Sequence, residues 1–388
     1  MRDLTTTGVA TIVLLLGFSN GTALAQQTPY SAPVTAAGSQ APSAAWSPAK
    51  AAAYLDKRST WWISWPSSSR DHGTFCVSCH TAAPFALGRA ALRSALGESS
   101  LSPNEQKVLD SVTKRVRMWH DVDPFYTDQA RGLPKASESR GTEAILNSLI
   151  LVSHDVATGH LSPDARLALD NMWALQIKAS DMNGAWAWLQ FHNAPFEGDS
   201  QFYGNSLAAI AIGSAPDNYQ SEPAIQNGIK LLSSWLIKNM DKQTPLDRVV
   251  LLWASAKLRG LLTPEQQNKL VEETIARQRD DGGFSMSYMI PGWKRHDGTP
   301  IDPSSDGYAT GLVAYALEQL EGRSNALLTQ PQLRRALAWL DKNQIESDGR
   351  WPAVSLNNGR PALSDTGLFM SDAATSYAVL ALTNAPVR

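Results

Sequence analysis

Cysteine is almost missing from this chain: 388 residues contain two, Cys76 and Cys79. A disulfide framework of the kind that staples small exported domains needs more than that. A surplus of charge is also missing. Lys and Arg number 34 against 36 Asp and Glu, a formal net charge of -2, so no basic face is on offer to a nucleic acid. Nor is there an apolar run long enough to cross a bilayer; the best stretch, Val9 to Phe18, is too short. That stretch follows Met1-Arg2-Asp3 and precedes Ala23-Leu24-Ala25, a small-x-small cleavage site. Together these predict a cleavable secretory signal over 1–25, a periplasmic or secreted protein, and no integral membrane segment in the mature chain. Residues 26–46, rich in Ala, Pro, Ser, Gln and Thr, are expected to be a flexible leader. Residues 47–388 are left for one large domain.

The two cysteines stand together, in Cys76-Val77-Ser78-Cys79-His80. C-x-x-C-H is the attachment signal of a c-type haem. Two thiols at this spacing can form thioethers to the two vinyl groups on one porphyrin edge, and the histidine that follows is held beneath the ring as proximal iron ligand. A C-x-x-C redox pair or half a zinc site would use the same residues. Under the haem reading His80 is an iron ligand, and His120 in Met118-Trp119-His120-Asp121 is the first candidate for the opposite position. Met370 is its alternative, with His192, His296, Met286 and Met289 more distant.

Tryptophan is plentiful, 13 in all, and part of it belongs to a repeat. Polar amphipathic helices alternate with Ala/Leu-rich ones, giving six predicted pairs. They are Ser47–Trp61 with Val77–Leu96, Asn104–Trp119 with Gly141–Ser153, and Ala165–Gln176 with Phe202–Ile212. Then come Glu222–Met240 with Leu246–Leu258, Glu265–Arg279 with Ala309–Leu320, and Gln332–Leu340 with Ser371–Leu382. Between the helices of three pairs lie Gly184-Ala185-Trp186, Gln278 with Gly282-Gly283-Phe284, and Gln344 with Gly349-Arg350-Trp351.

These segments resemble the QW-type motif of the squalene cyclase and protein prenyltransferase superfamily. The resemblance runs from Ser47 to the C-terminus and is strongest in the last two repeats. It implies an all-α single domain, an α/α toroid of six inner and six outer helices around a central cavity. The family's chemistry does not follow. Asp121-Val122-Asp123-Pro124 lacks the next aspartate of the cyclases' Asp-x-Asp-Asp acid. No Cys or His stands near Asp306 or Asp372 to bind the prenyltransferases' zinc, and the Cys-Gly-Glu-Gln of thioester domains is absent.

Asp121, Asp123, Asp199, Asp306 and Asp372 are candidate general acids facing a cavity. Asp199, Asp306 and Asp372 also precede apolar helices, where an aspartate caps free N–H groups, and Pro124 makes the first two part of a turn. Trp61, Trp62, Trp65, Phe75, Trp186, Trp188 and Phe191 either line a cavity or form plain core. The expected function is electron transfer or redox chemistry, through one covalent haem, on an apolar ligand such as an isoprenoid, with a redox partner protein. A non-enzymatic electron carrier or sensor, and a terpenoid-cyclase-like enzyme without haem, are the alternatives.

Overall fold

The computed structural model describes residues 46–128, 135–320 and 326–385. The predicted signal, and the leader up to residue 45, lie outside the described residues. All six predicted helix pairs form. They are α1 (Pro48–Ser64) with α2 (Ala82–Ala95), α3 (Pro103–Arg117) with α4 (Ala136–Val156), and α5 (Pro163–Ala174) with α6 (Phe202–Ser214). The chain continues through α7 (Gln226–Asn239) with α8 (Pro245–Lys257), and α9 (Pro264–Ile275), a short α10 (Met286–Met289) and α11 (Gly307–Glu318). It ends with α12 (Ala326–Lys342) and α13 (Phe369–Asn384). A two-stranded antiparallel ribbon, Ser69–Arg70 against Thr74–Phe75, precedes the C-x-x-C-H segment.

Five of these helices start alike. Ser47, Ser102, Ser162, Thr244 and Thr263 each accept a hydrogen bond from the backbone amide three residues on, and each is followed by proline. The hydroxyl satisfies an orphan N–H, and proline supplies a preset φ where no N–H is needed. The inner helices are apolar on nearly every face. In α6 every residue from Phe202 to Ile212 is buried, and α13 is buried from Met370 to Ala381. A helix of that kind needs cover all round.

The ring provides it. Helix α2 packs on α4, α4 on α6, α6 on α8, α8 on α11, α11 on α13, and α13 returns to α2. Each outer helix packs on the inner helix that precedes it, with α1 set against α13. The fold is an all-α toroid.

Glutamine side chains pin the outer layer. Gln176 Nε2 donates to the carbonyls of Gly184 and Gly228, Gln278 Nε2 to those of Gly282 and Gln332, and Gln344 Nε2 to those of Gly349 and Ser47. Each amide thus ties its own turn to a neighbouring outer helix or its cap, and the last tie closes the circle. The aromatic that follows each glycine turn is held by the inner helix. The Trp186, Phe284 and Trp351 amides donate to Asn205 Oδ1, Thr310 Oγ1 and Thr375 Oγ1. Gly349 adopts φ +82°, and a Cβ there would lie 2.4 Å from the Lys50 carbonyl carbon, so no other residue fits this closure.

Candidate functional site

Tyrosines of three inner helices, α6, α11 and α13, meet inside the ring. Tyr203, at the start of α6, places its hydroxyl 3.4 Å from that of Tyr377, and the Tyr377 and Tyr308 rings meet edge to face at 5.3 Å. Beside them, at the starts of α6 and α8, a cleft of about 700 Å³ opens. Tyr203, Asp247, Asp199, His192, Lys242, Lys294 and Trp293 are among its lining residues. It is a mixed cleft, in which charged side chains stand beside Ala194, Leu246, Ile290 and Trp293.

Asp247 sits in the first turn of α8. Its Oδ2 accepts from the Thr244 hydroxyl at 2.7 Å, and its amide donates to the same hydroxyl. Burial pushes the carboxyl up to about 6, against the pull of the Thr244 bonds. A carboxyl in that range can give a proton near neutrality. Asp199 grips His192 Nδ1 with both oxygens at 2.8 Å. His192 has φ +54°, a left-handed conformation that costs energy in a non-glycine residue. Its ring lies 4.9 Å from Trp293 and 5.5 Å from His296. The pairing gives His192 a proton on Nδ1 and leaves Nε2 to accept one, the arrangement of an oriented base.

The C-x-x-C-H segment builds a second, enclosed site. It occupies the turn before α2, which starts at Ala82 and not at Val77 as the sequence predicts. The His80 ring stacks on Phe369 at 3.7 Å and meets Trp62 edge-on at 5.0 Å. Its Nδ1 is 2.8 Å from Thr81 Oγ1, which donates to Asp372 Oδ2 at 2.7 Å. Asp372 Oδ1 accepts from Tyr54 Oη and Arg58 Nε, both at 2.8 Å. Desolvation pushes His80 down to about 3, helped by the Arg58 charge, and pushes Cys76 up to about 12 and Cys79 well above its ordinary range. Neutral buried thiols are poor nucleophiles. The donor types suit a haem c, an imidazole with one free nitrogen beside two thiols. A group joined to these thiols would have to be joined before they are buried.

The other predicted site residues are scattered. His120 and Asp121 are exposed in the turn after α3, and Asp123 beside them gives its amide to Asp71 and its carbonyl to Arg115. Met370, Met286 and Met289 are core residues, and His296 is exposed with its Nε2 on the His192 carbonyl. Asp306 is a cap, accepting from the Tyr308 and Ala309 amides at 2.9 Å and from Met286 at 2.7 Å. Asp199 is not one: α6 begins behind Gln201, and the carboxylate goes to His192. Asp372 is not one either, because α13 starts three residues earlier and the carboxylate is buried inside it. Of the aromatics, Trp61, Trp62 and Trp65 cluster around Phe369 and His80, Trp186 and Trp188 are full core, and Phe191 packs on Tyr126. The sequence reading missed Asp247, Lys242, Lys294 and Trp293, and the Tyr54–Arg58–Thr81 set around Asp372.

No family model matches the chain, and no curated protein matches it in sequence. Among solved structures the chain is similar to glycosyl hydrolase family 88 from Bacteroides vulgatus. Identity is 11%, 86% of this chain and 90% of that chain are covered, and the TM-score is 0.34.

The expected function needs correction. Among the described residues no three His, Cys, Asp or Glu side chains converge to hold a metal ion. The open cleft sets charged Lys, Asp and His side chains among its apolar residues, which does not suit a wholly apolar or isoprenoid ligand. Electron transfer, redox chemistry on such a ligand, and the carrier, sensor and terpenoid-cyclase alternatives are therefore set aside.

Proposed function

We propose that this toroid binds a polar, ring-bearing small molecule in the rim cleft and acts on it by general acid–base chemistry. Asp247 is the proton donor, and His192, oriented by Asp199, is the proton acceptor. The observation that carries this reading is the placing of two proton-transfer groups around one cleft. One is a carboxyl pushed up to about 6 by burial, and the other an imidazole held by a carboxylate. Trp293 offers an aromatic face to a sugar-like or heterocyclic ring, and Lys242 and Lys294 offer donors to its oxygens. A polyhydroxylated ring with a cleavable bond is the substrate class that uses all of these. The test is hydrolysis of a panel of aryl glycosides and aryl esters between pH 4 and 8. Turnover with a basic limb near pH 6, abolished in Asp247→Asn, supports the reading; turnover unchanged in that variant contradicts it.

Three narrower proposals accompany it. The glutamine-pinned turns support kinship of the repeats with the squalene cyclase and prenyltransferase superfamily. The C-x-x-C-H supports covalent attachment of one haem c through Cys76 and Cys79 with His80 as iron ligand. A pyridine haemochrome spectrum, beside that of a Cys76→Ala/Cys79→Ala variant, tests it. The apolar N-terminal stretch and its cleavage site support export.

A further inference from the structure

The hydroxyl of Thr81 stands where a helix cap is expected, directly before Ala82, yet it caps nothing. Ser78 Oγ takes over that task, accepting from the Thr81 and Ala82 amides at 3.3 and 3.0 Å. Thr81 is thus free for another purpose, and its partners define it. On one side lies Asp372 Oδ2 at 2.7 Å, on the other His80 Nδ1 at 2.8 Å. A hydroxyl has one proton to give. A carboxylate can only accept, so that proton goes to Asp372 and the hydroxyl oxygen must accept from His80. His80 then carries its own proton on Nδ1.

We infer that Thr81 and Asp372 are positioning residues that lock His80 in its Nδ1–H tautomer and leave Nε2 as a free lone pair, the form in which an imidazole serves a transition-metal centre or another electrophile. Arg58 and Tyr54 hold Asp372 in place from α1, each at 2.8 Å, and Phe369 fixes the plane of the His80 ring from α13 at 3.7 Å. The lock therefore draws on the first and last helix pairs at once. It exists only when the ring is closed. A hydrogen bond to the far nitrogen of a ligating histidine sets both its tautomer and its orientation. None of these residues belongs to the rim cleft, so the lock and the acid–base chemistry of the cleft stand or fall separately.

The experiment is long-range ¹H–¹⁵N imidazole NMR on the purified full chain at pH 7.5, with Thr81→Val and Thr81→Ser alongside. The expected result for the natural chain is a proton on Nδ1 in slow exchange with water and none on Nε2. In Thr81→Val, which keeps the shape and removes the acceptor, exchange of that proton quickens at least tenfold or the proton moves to Nε2. Thr81→Ser restores the natural pattern. Because a merely structural Thr81 would move folding and not the tautomer, the Thr81→Val spectrum is read only after its helical content matches the natural chain. If Val does not fold, the decision rests on the natural chain and Ser alone. A proton on Nε2 in the natural chain, or a folded Thr81→Val with an unchanged Nδ1 proton, overturns the inference.

Discussion

Arg58 on the first helix reaches Asp372 on the last, with Nε 2.8 Å from Oδ1, and both side chains are almost wholly buried. The pair is a seam. Taking either charge out of water is costly unless the other is there, and here Tyr54 and Thr81 supply the remaining hydrogen bonds to the carboxylate. The same guanidinium also meets Asp365 at 3.1 Å, but that carboxylate is 59% exposed. Arg58→Ala is accordingly expected to cost about 3–5 kcal/mol, since it strands a buried carboxylate. Asp365→Ala should cost less than about 1 kcal/mol. Urea unfolding of the two variants beside the natural chain checks the contrast.

A second seam residue is Gly349. Its φ of +82° is one penalty for any side chain, and the Lys50 backbone, 2.4 Å from where a Cβ would stand, is another. Gly159 carries the first only, with φ +71° and nothing within 4 Å. Gly159→Ala should cost about 1–2 kcal/mol for the left-handed backbone. Gly349→Ala should cost about 1–3 kcal/mol more, because α1 and the turn after α12 must part. Thermal unfolding of the pair measures the difference.

The glutamine ties predict a graded loss. Gln278 Nε2 serves two carbonyls, Gly282 and Gln332, each at 2.8 Å. Gln278→Ala leaves both short of a donor and should destabilise by about 1–3 kcal/mol. The expected site of loosening is the join between the α9 turn and α12. Hydrogen exchange should show faster exchange there than in the α5 turn, where the Gln176 tie is intact.

Asp247 gives a pH dependence whose sign follows from burial. The folded carboxyl is raised from 3.8 to about 6, so the unfolded chain loses its proton first as pH rises. Its contribution to stability is full below about pH 4 and is lost as pH climbs through 6. Asp247→Asn removes the titration. The melting temperature of the natural chain, relative to this variant, should fall between pH 4 and 6 and level off above. A flat difference over that range would show that Asp247 is not desolvated in the folded protein.

The repeat pattern was open to reading because it is carried by composition. Apolar-all-round helices such as Phe202–Ile212 and polar ones such as Asn104–Trp119 must occupy different layers, and their alternation spells an inner and an outer ring. The glutamine and glycine of each turn lie a few residues apart, so their contact is local and visible. The cleft is different. Asp247 sits in Thr244-Pro245-Leu246-Asp247, and Thr263-Pro264-Glu265-Gln266 has the same form at an ordinary surface helix. Nothing local separates a cap-turn carboxylate that lines a cleft from one that faces water; only the packing of α6 and α8 does. Asp372 failed for a related reason. A Ser-Asp before apolar residues reads as a cap, and the earlier start of α13 turns it into a buried acceptor for Arg58, a residue far away in sequence.

The most direct test of the rim cleft is ligand-observed saturation-transfer NMR with a panel of methyl glycosides and uronic acids, on the natural chain and on Trp293→Ala and Asp247→Asn. At least one ring-bearing member is predicted to receive saturation from the natural chain. The signal should fall at least fivefold in Trp293→Ala while the fold, followed by circular dichroism, is unchanged. Transfer of equal strength in the folded Trp293→Ala protein, or none from any member of the panel to the natural chain, would contradict a ring-binding cleft.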